Sequence, residues 1–170
     1  MTPAHLRIRA AQHSDEAFLW RMLYHAAHME QDGAPFPDGA KSNSYLVRYV
    51  QNWGAPADLG LIGELEGMPV GAAWSRLLQP HEGEPPADEL LPELAVAVEP
   101  AYLGQGIGTR LLAAYLEAAG QHFPAVTLTV RADNPALRLY QRAGFEITGE
   151  IVNRVGTRSF AMIRRFRIAA

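Results

Sequence analysis

The 170-residue sequence contains no cysteine. This absence excludes disulfide bonds, thiolate metal sites, a cysteine nucleophile and a thioester formed on the protein itself. No apolar run approaches the length needed to cross a membrane, and the charged N-terminal stretch lacks the apolar segment of a signal peptide. We therefore expect a cytoplasmic protein with no membrane partner.

Charge is also sparse, because charged residues make up 19% of the chain and the formal net charge is only -3. No basic run is present, so the sequence gives no sign of nucleic-acid binding. Hydrophobic residues make up 48%, as in ordinary globular domains. A chain of this length supports one domain with a real core, and we expect a single domain over 1–170.

Hydrophobic periodicity predicts the element order β-α-α-β-β-β-α-β-α-β-β, a mixed α/β fold. The segment 94–98, "LAVAV", is apolar on both faces, which is typical of a central buried strand. The other strands are expected at 5–11, 59–66, 69–78, 126–130, 145–152 and 159–168, and the helices at 15 to about 29, 43–53, 105–119 and 134–143.

Three glycines at alternate positions follow the central strand: Gly104, Gly106 and Gly108. A strand-to-helix turn leaves N–H groups without intrahelical partners at the positive end of the helix dipole, so a phosphate can bind against the backbone there. The alternative is a simple packing device. The nucleotide P-loop is a poor match because it needs Gly-Lys-Ser/Thr, and the dinucleotide fingerprint needs a glycine where Thr109 or Leu111 stands.

A second motif, "NPALRLYQRAGFE" at 134–146, begins about thirty residues past the first glycine. Together with "LAVAVEPAYLGQGIGTRLL" it resembles the two motifs of the GNAT superfamily of acetyl-CoA-dependent N-acetyltransferases. The motifs cover about 93–146, and the residues at family positions in the second are Asn134, Leu139, Tyr140, Gly144 and Phe145. One departure is Leu103, where the family usually has Gln or Arg.

The resemblance implies a GNAT-type fold with a splayed central strand pair. It also implies acetyl transfer from acetyl-CoA to a primary amine, by direct attack through a tetrahedral intermediate. The implied cofactor-binding residues are Val96, Ala97 and Val98 on the strand, Leu103, Gly104, Gln105, Gly106, Ile107, Gly108 and Thr109 in the turn, and Asn134 and Tyr140 beyond it. Asn134 is equally open to a role as a helix cap.

Tyr140 is the expected general acid, because a phenol stays protonated at neutral pH and can donate to a departing thiolate. Glu93 is the candidate general base, although a surface glutamate at a strand entrance is just as common. Other candidates are Tyr24, His25, His28 and Glu30, and water can also take the proton. No metal is expected, since His25 and His28 have no evident carboxylate partner and are more simply solvated.

The acceptor is open between a small-molecule amine and a peptide N-terminus. Specificity is expected from 31–44 and 76–92, whose acidic side chains would suit a cationic amine: Asp32, Asp38, Glu82, Glu84, Asp88 and Glu89. The family also suggests a homodimer through the C-terminal strands. Two other functions stay open: an acyl-CoA-binding or sensor module without turnover, which Leu103 favours, and a nucleotide-binding or structural domain.

Overall fold

The computed structural model describes residues 5–79 and 89–167, and a mixed sheet of seven strands runs through them. The strands are β1 (Leu6–Ala10), β2 (Leu59–Leu65), β3 (Met68–Leu77), β4 (Pro92–Val98), β5 (Ala125–Arg131), β6 (Glu146–Val152) and β7 (Arg158–Arg165). The α-helices are α1 (Glu16–Ala26), α2 (Ile107–Ala119) and α3 (Ala136–Arg142).

The strands lie in the order β1-β2-β3-β4-β5-β7-β6. All neighbours are antiparallel except β4 and β5, which α2 connects as a parallel pair. The expected α/β fold is therefore confirmed, and each strand lies where its hydrophobic pattern predicted it. Of the acidic residues expected to set specificity, Glu82, Glu84 and Asp88 lie outside the described residues.

Two hydrophobic layers cover the sheet. On one face α1 and the segment after it pack over β3 and β4, with Trp74 fully buried at the centre. The indole Nε1 of Trp74 donates to the Tyr49 carbonyl at 3.0 Å, which satisfies its one polar atom. On the other face α2 buries Leu111 and Tyr115. Because β4 lies under both layers, its apolar pattern on both faces is explained.

The predicted helix at 43–53 is wrong. This segment contains only the short 3-10 helix Leu46–Tyr49, preceded by another at Gly39–Ser42. Its carbonyls accept from distant side chains instead: the Arg76 guanidinium donates to Gln51 at 2.5 Å and, more weakly, to Arg48 and Asn52. Four of the five predicted apolar side chains are nevertheless buried and Tyr45 is partly buried, so periodicity located the buried face but not the backbone that presents it.

The parallel pair β4–β5 opens almost at once. Glu93 and Thr127 are the one register pair between these strands in the described chain. Beyond that pair the remaining five residues of β4 keep their partners on β3 only. The expected splayed strand pair is thus present, and it leaves main-chain groups along one edge of β4 without a strand partner.

Candidate active site

The turn after β4 presents a row of free backbone donors. Tyr102 and Leu103 donate back to Glu99 and Pro100, and Arg110 donates to Gly106 at 3.2 Å. Between them, none of the six N–H groups of 104–109 donates to a carbonyl of the described chain. They lie at the N-terminus of α2, where the helix dipole favours an anion.

Two of the glycines in this turn have backbone angles that other residues rarely adopt. Gly104 and Gly106 both have φ of +78°. A Cβ at Gly104 would meet no described atom within 4 Å beyond its chain neighbours, so the space in front of it is open within the described structure. Gly108 has ordinary helical geometry, and a Cβ there would make normal contact with Val98 at 3.7 Å. The alternate glycines therefore serve backbone geometry at two positions and leave room beside the free amides.

The start of α3 is capped by Asn134, whose Oδ1 accepts from the Ala136 N–H at 2.9 Å. Its Nδ2 must then be the donor to Nε2 of His28, 3.1 Å away. Burial lowers the pKa of His28, and the positive charge of Arg131 lowers it further. The neutral imidazole that this favours is the form that can accept from Asn134.

Tyr140 lies on α3 with its ring edge-on to Phe145, the centroids 5.8 Å apart. Burial raises the pKa of its phenol to about 12. The side chain therefore keeps its proton throughout the neutral range.

A cavity of about 850 Å³ lies along the opening between β4 and β5. Its lining includes Leu103 and Gly108 at the turn, residues of α1, and the turn between β6 and β7. Seven of the predicted cofactor-binding residues line it: Val96, Ala97, Val98, Leu103, Gly108, Asn134 and Tyr140. Gly104, Gln105, Gly106, Ile107 and Thr109 do not, and the Ile107 side chain is buried in the core.

Glu93 lies outside the lining of this cavity, at the point where β4 and β5 separate. Its Oε2 is shielded from solvent and has no hydrogen-bond partner within the described structure. Burial raises the pKa of this carboxyl to about 7, an effect that Arg48 partly opposes. The alternative to a functional role was an ordinary surface glutamate. The shielded Oε2 of Glu93 disfavours that alternative.

The histidines of α1 and its exit are not solvated, contrary to expectation. The side chain of His25 is only 10% exposed and its Nδ1 lies 2.8 Å from Glu30. Nε2 of His25 is 3.7 Å from the Glu99 carboxylate and makes no hydrogen bond in the described part of the chain. The two histidines therefore do have carboxylate neighbours, yet no group of three or more potential ligands among the described residues is arranged to hold a metal ion.

Other candidates for the proton acceptor are less available. Tyr24 donates its hydroxyl proton to the Ala34 carbonyl at 2.6 Å. Glu30 lines the cavity but is held by His25.

The acidic residues of 31–44 are neutralised within the protein. Asp38 pairs with Lys41 at 3.0 Å. Asp32 pairs with Arg131, at the end of β5, and with Arg154, in the turn between β6 and β7. Both arginines line the cavity. They could not be found from the sequence because they are far apart in the chain and belong to no motif; the fold brings both to Asp32 and to the Ala27 carbonyl.

Comparison with known proteins identifies a matching protein family and solved structures with the same fold. The profile of the acetyltransferase (GNAT) family matches residues 19–145. A mycothiol acetyltransferase of Arthrobacter sp. (strain FB24) is 32% identical over 150 residues, which cover 84% of this chain and 43% of the relative. The chain thus spans less than half the length of this curated relative.

Solved structures agree over nearly the whole chain. The yncA protein of Salmonella typhimurium, solved with its cofactor acetyl-CoA, has a TM-score of 0.72 at 21% identity and covers 98% of this chain and 97% of its own. The ribosomal-protein-S18-alanine N-acetyltransferase of Escherichia coli has a TM-score of 0.65 at 20% identity, with coverages of 97% and 96%. No helix among the described residues has the length and apolar character of a membrane span.

Proposed function

The chain belongs to the acetyltransferase (GNAT) family, and on this premise we propose that it transfers an acetyl group from acetyl-CoA to a primary amine. The family match and the fold confirm the resemblance found in the two sequence motifs. The observation that carries the proposal is the cavity between the separated strands β4 and β5, which leads to the free amides of the glycine turn. An extended thioester with a phosphate end fits such a site.

The fit for acetyl-CoA rests on two features of the protein. The first is a set of backbone N–H groups that donate no hydrogen bond to the described backbone and would hold the pyrophosphate: those of Gly104, Gln105, Gly106, Ile107, Gly108 and Thr109. The open edge of β4 at Val96, Ala97 and Val98 would hold the pantetheine arm and direct an N–H at the thioester carbonyl. Such a preset amide stabilises a developing oxyanion by a few kcal/mol, about 3 in known cases. Bound acetyl-CoA supplies the activated acetyl group that the amine attacks directly.

Tyr140 is the proposed general acid for the departing thiolate. It lines the cavity, and its raised pKa keeps the phenol protonated at neutral pH, so that it can donate a hydrogen bond and a proton to the departing sulfur. Asn134 lines the same wall while capping α3, so the two roles considered for it are compatible.

Glu93 is the proposed general base, acting through water. Direct contact between Glu93 and the acceptor amine is disfavoured because Glu93 does not line the cavity. Ala95, two residues further along the same face of β4, does line it. A carboxyl pKa of about 7 suits a base that works near neutrality.

The proposal is tested by measuring CoA release when acetyl-CoA is mixed with a panel of small amines and peptides with free N-termini. We expect turnover on at least one amine. Acetyl-CoA should also raise the melting temperature, whereas ATP and NAD should not. Stabilisation by acetyl-CoA without turnover on any amine would overturn the catalytic proposal in favour of a binding module. That alternative is favoured by Leu103, which is 64% exposed and gives the turn no cation.

A further inference from the structure

Two guanidinium groups line the cavity, that of Arg131 at the end of β5 and that of Arg154 in the turn between β6 and β7. Arg131 and Arg154 lie far apart in the sequence but share the same two acceptors, the Asp32 carboxylate and the Ala27 carbonyl. Their side chains are only 17% and 22% exposed. The loop after α1, the end of β5 and the turn between β6 and β7 therefore meet at this point.

Most of the hydrogen-bonding capacity of these arginines is unused. In each guanidinium only Nη2 donates, and it serves both Asp32 and Ala27. A guanidinium has five N–H donors. The Nε and Nη1 groups of both arginines thus have no acceptor among the described residues, although both side chains line the cavity.

The charges around these two arginines are also unevenly placed. Asp32 is one carboxylate between two guanidiniums. Asp133 and Glu30 lie further off, close enough to raise the pKa of His28. The field of Arg131 reaches into the cavity, since it helps to lower the pKa of His28.

We propose that the acceptor amine carries a carboxylate, which binds the free N–H groups of Arg131 and Arg154. The inference rests on the proposed acetyl transfer and narrows its substrate to amino-acid-like acceptors. It differs from the expectation of a cationic amine, because two of the acidic residues that suggested one, Asp32 and Asp38, are paired with Arg131, Arg154 and Lys41. A guanidinium wall is suited to an anionic group through charge-assisted hydrogen bonds.

The test compares matched acceptors that differ in the carboxylate alone: alanine, leucine and phenylalanine, each beside its amide. We measure kcat/KM for the wild type, Arg154→Met, Arg154→Lys and the control Arg138→Met. Arg138 is exposed on α3 and does not line the cavity. The ratio of acid to amide, compared between variants, cancels the different intrinsic reactivities of the two amines.

We expect Arg154→Met to lower the acid-to-amide ratio at least tenfold, equivalent to about 1.4 kcal/mol. The loss should lie in the KM of the acceptor, Arg154→Lys should restore part of it, and Arg138→Met should leave the ratio unchanged. A purely structural role for Arg154 would lower the melting temperature and leave the ratio intact, which overturns the inference. If Arg154→Met raised the KM of acetyl-CoA instead, the arginines would bind the cofactor rather than the acceptor, and the inference would also be overturned.

A binding measurement separates this inference from the proposed function. With CoA present, N-acetylphenylalanine should raise the melting temperature of the wild type more than N-acetylphenylalaninamide does, and Arg154→Met should abolish the difference. This result would support the carboxylate site even if no amine were turned over. Equal effects of the two compounds would overturn the site even if acetyl transfer were established.

Discussion

Replacing the buried Glu93 by glutamine should raise the free energy of unfolding and lower kcat for the proposed acetyl transfer. The carboxyl lies where β4 and β5 separate, and its Oε2 has no partner in the described structure. Glutamine has nearly the same shape and carries no charge at any pH. It therefore removes the electrostatic cost of the buried carboxylate and, with it, the proposed proton acceptor.

The size and the sign of the effect follow from the pKa. Burial raises it from 4.5 in the unfolded chain to about 7 in the fold. Below pH 4.5 the carboxyl is protonated in both states and costs nothing. As the pH rises to about 7 the unfolded chain loses its proton first, so the fold is progressively destabilised, by about 3 kcal/mol once Glu93 is ionised in both states. Glu93→Gln should recover up to that amount at pH 8 and almost nothing at pH 4.5.

The assay is the free energy of unfolding from urea titrations of wild type and Glu93→Gln at pH 4.5, 6, 7 and 8. The exposed Glu117 on α2 provides the matched control, and Glu117→Gln should change stability by less than about 0.5 kcal/mol at every pH. A difference between Glu93→Gln and wild type that did not vary with pH would refute a raised pKa. In the acetyl-transfer assay, kcat should fall in Glu93→Gln, and the wild-type rate should rise with pH through about 7.

Three further substitutions separate catalysis, cofactor binding and folding. Tyr140→Phe should lower kcat about a hundredfold with the affinity for acetyl-CoA unchanged, since it removes the proton donor alone; a normal kcat in steady-state assays would exclude Tyr140 as the acid. Gly104→Ala should cost about 1 kcal/mol of stability through its φ of +78°. Because its new Cβ meets no described atom, a higher Kd for acetyl-CoA by calorimetry would report ligand in that space, and an unchanged Kd would argue against it. Tyr115→Phe removes the hydroxyl that donates to the buried Ser75 Oγ at 2.6 Å, so the free energy of unfolding in urea should fall by about 1–3 kcal/mol while KM is unaffected. An unchanged free energy of unfolding would show that this hydrogen bond makes no net contribution.

The glycine turn proposed to bind the cofactor could be located from the sequence because it depends on local backbone chemistry. A turn with free amides needs residues that tolerate positive φ, and Gly104 and Gly106 have it. The cap at Asn134 likewise depends on residues two positions apart. Because these features depend on residues that are neighbours in the sequence, a sequence motif is sufficient to predict their local geometry.

The environment of Glu93 could not be predicted in this way. Its burial depends on packing around the start of β4, and its charge balance depends on Arg48, which stands in the segment wrongly predicted as a helix. That error has a similar origin, because the donors from Arg76 and Trp74 that occupy the carbonyls of this segment come from β3. Periodicity reports which side chains are buried, but it does not report distant donors that compete with helical hydrogen bonds.

The proposed acceptor site is formed by groups from three separate parts of the chain. Ala27 and Asp32 follow α1, Arg131 ends β5 and Arg154 stands between β6 and β7. No single segment contains enough of the proposed site to form a motif. A scaffold divided in this way can keep one cofactor while its acceptor changes, since the first depends on backbone and the second on a few charged side chains. The acid-to-amide preference and its loss in Arg154→Met are therefore measures of this chain's own specificity rather than of its family.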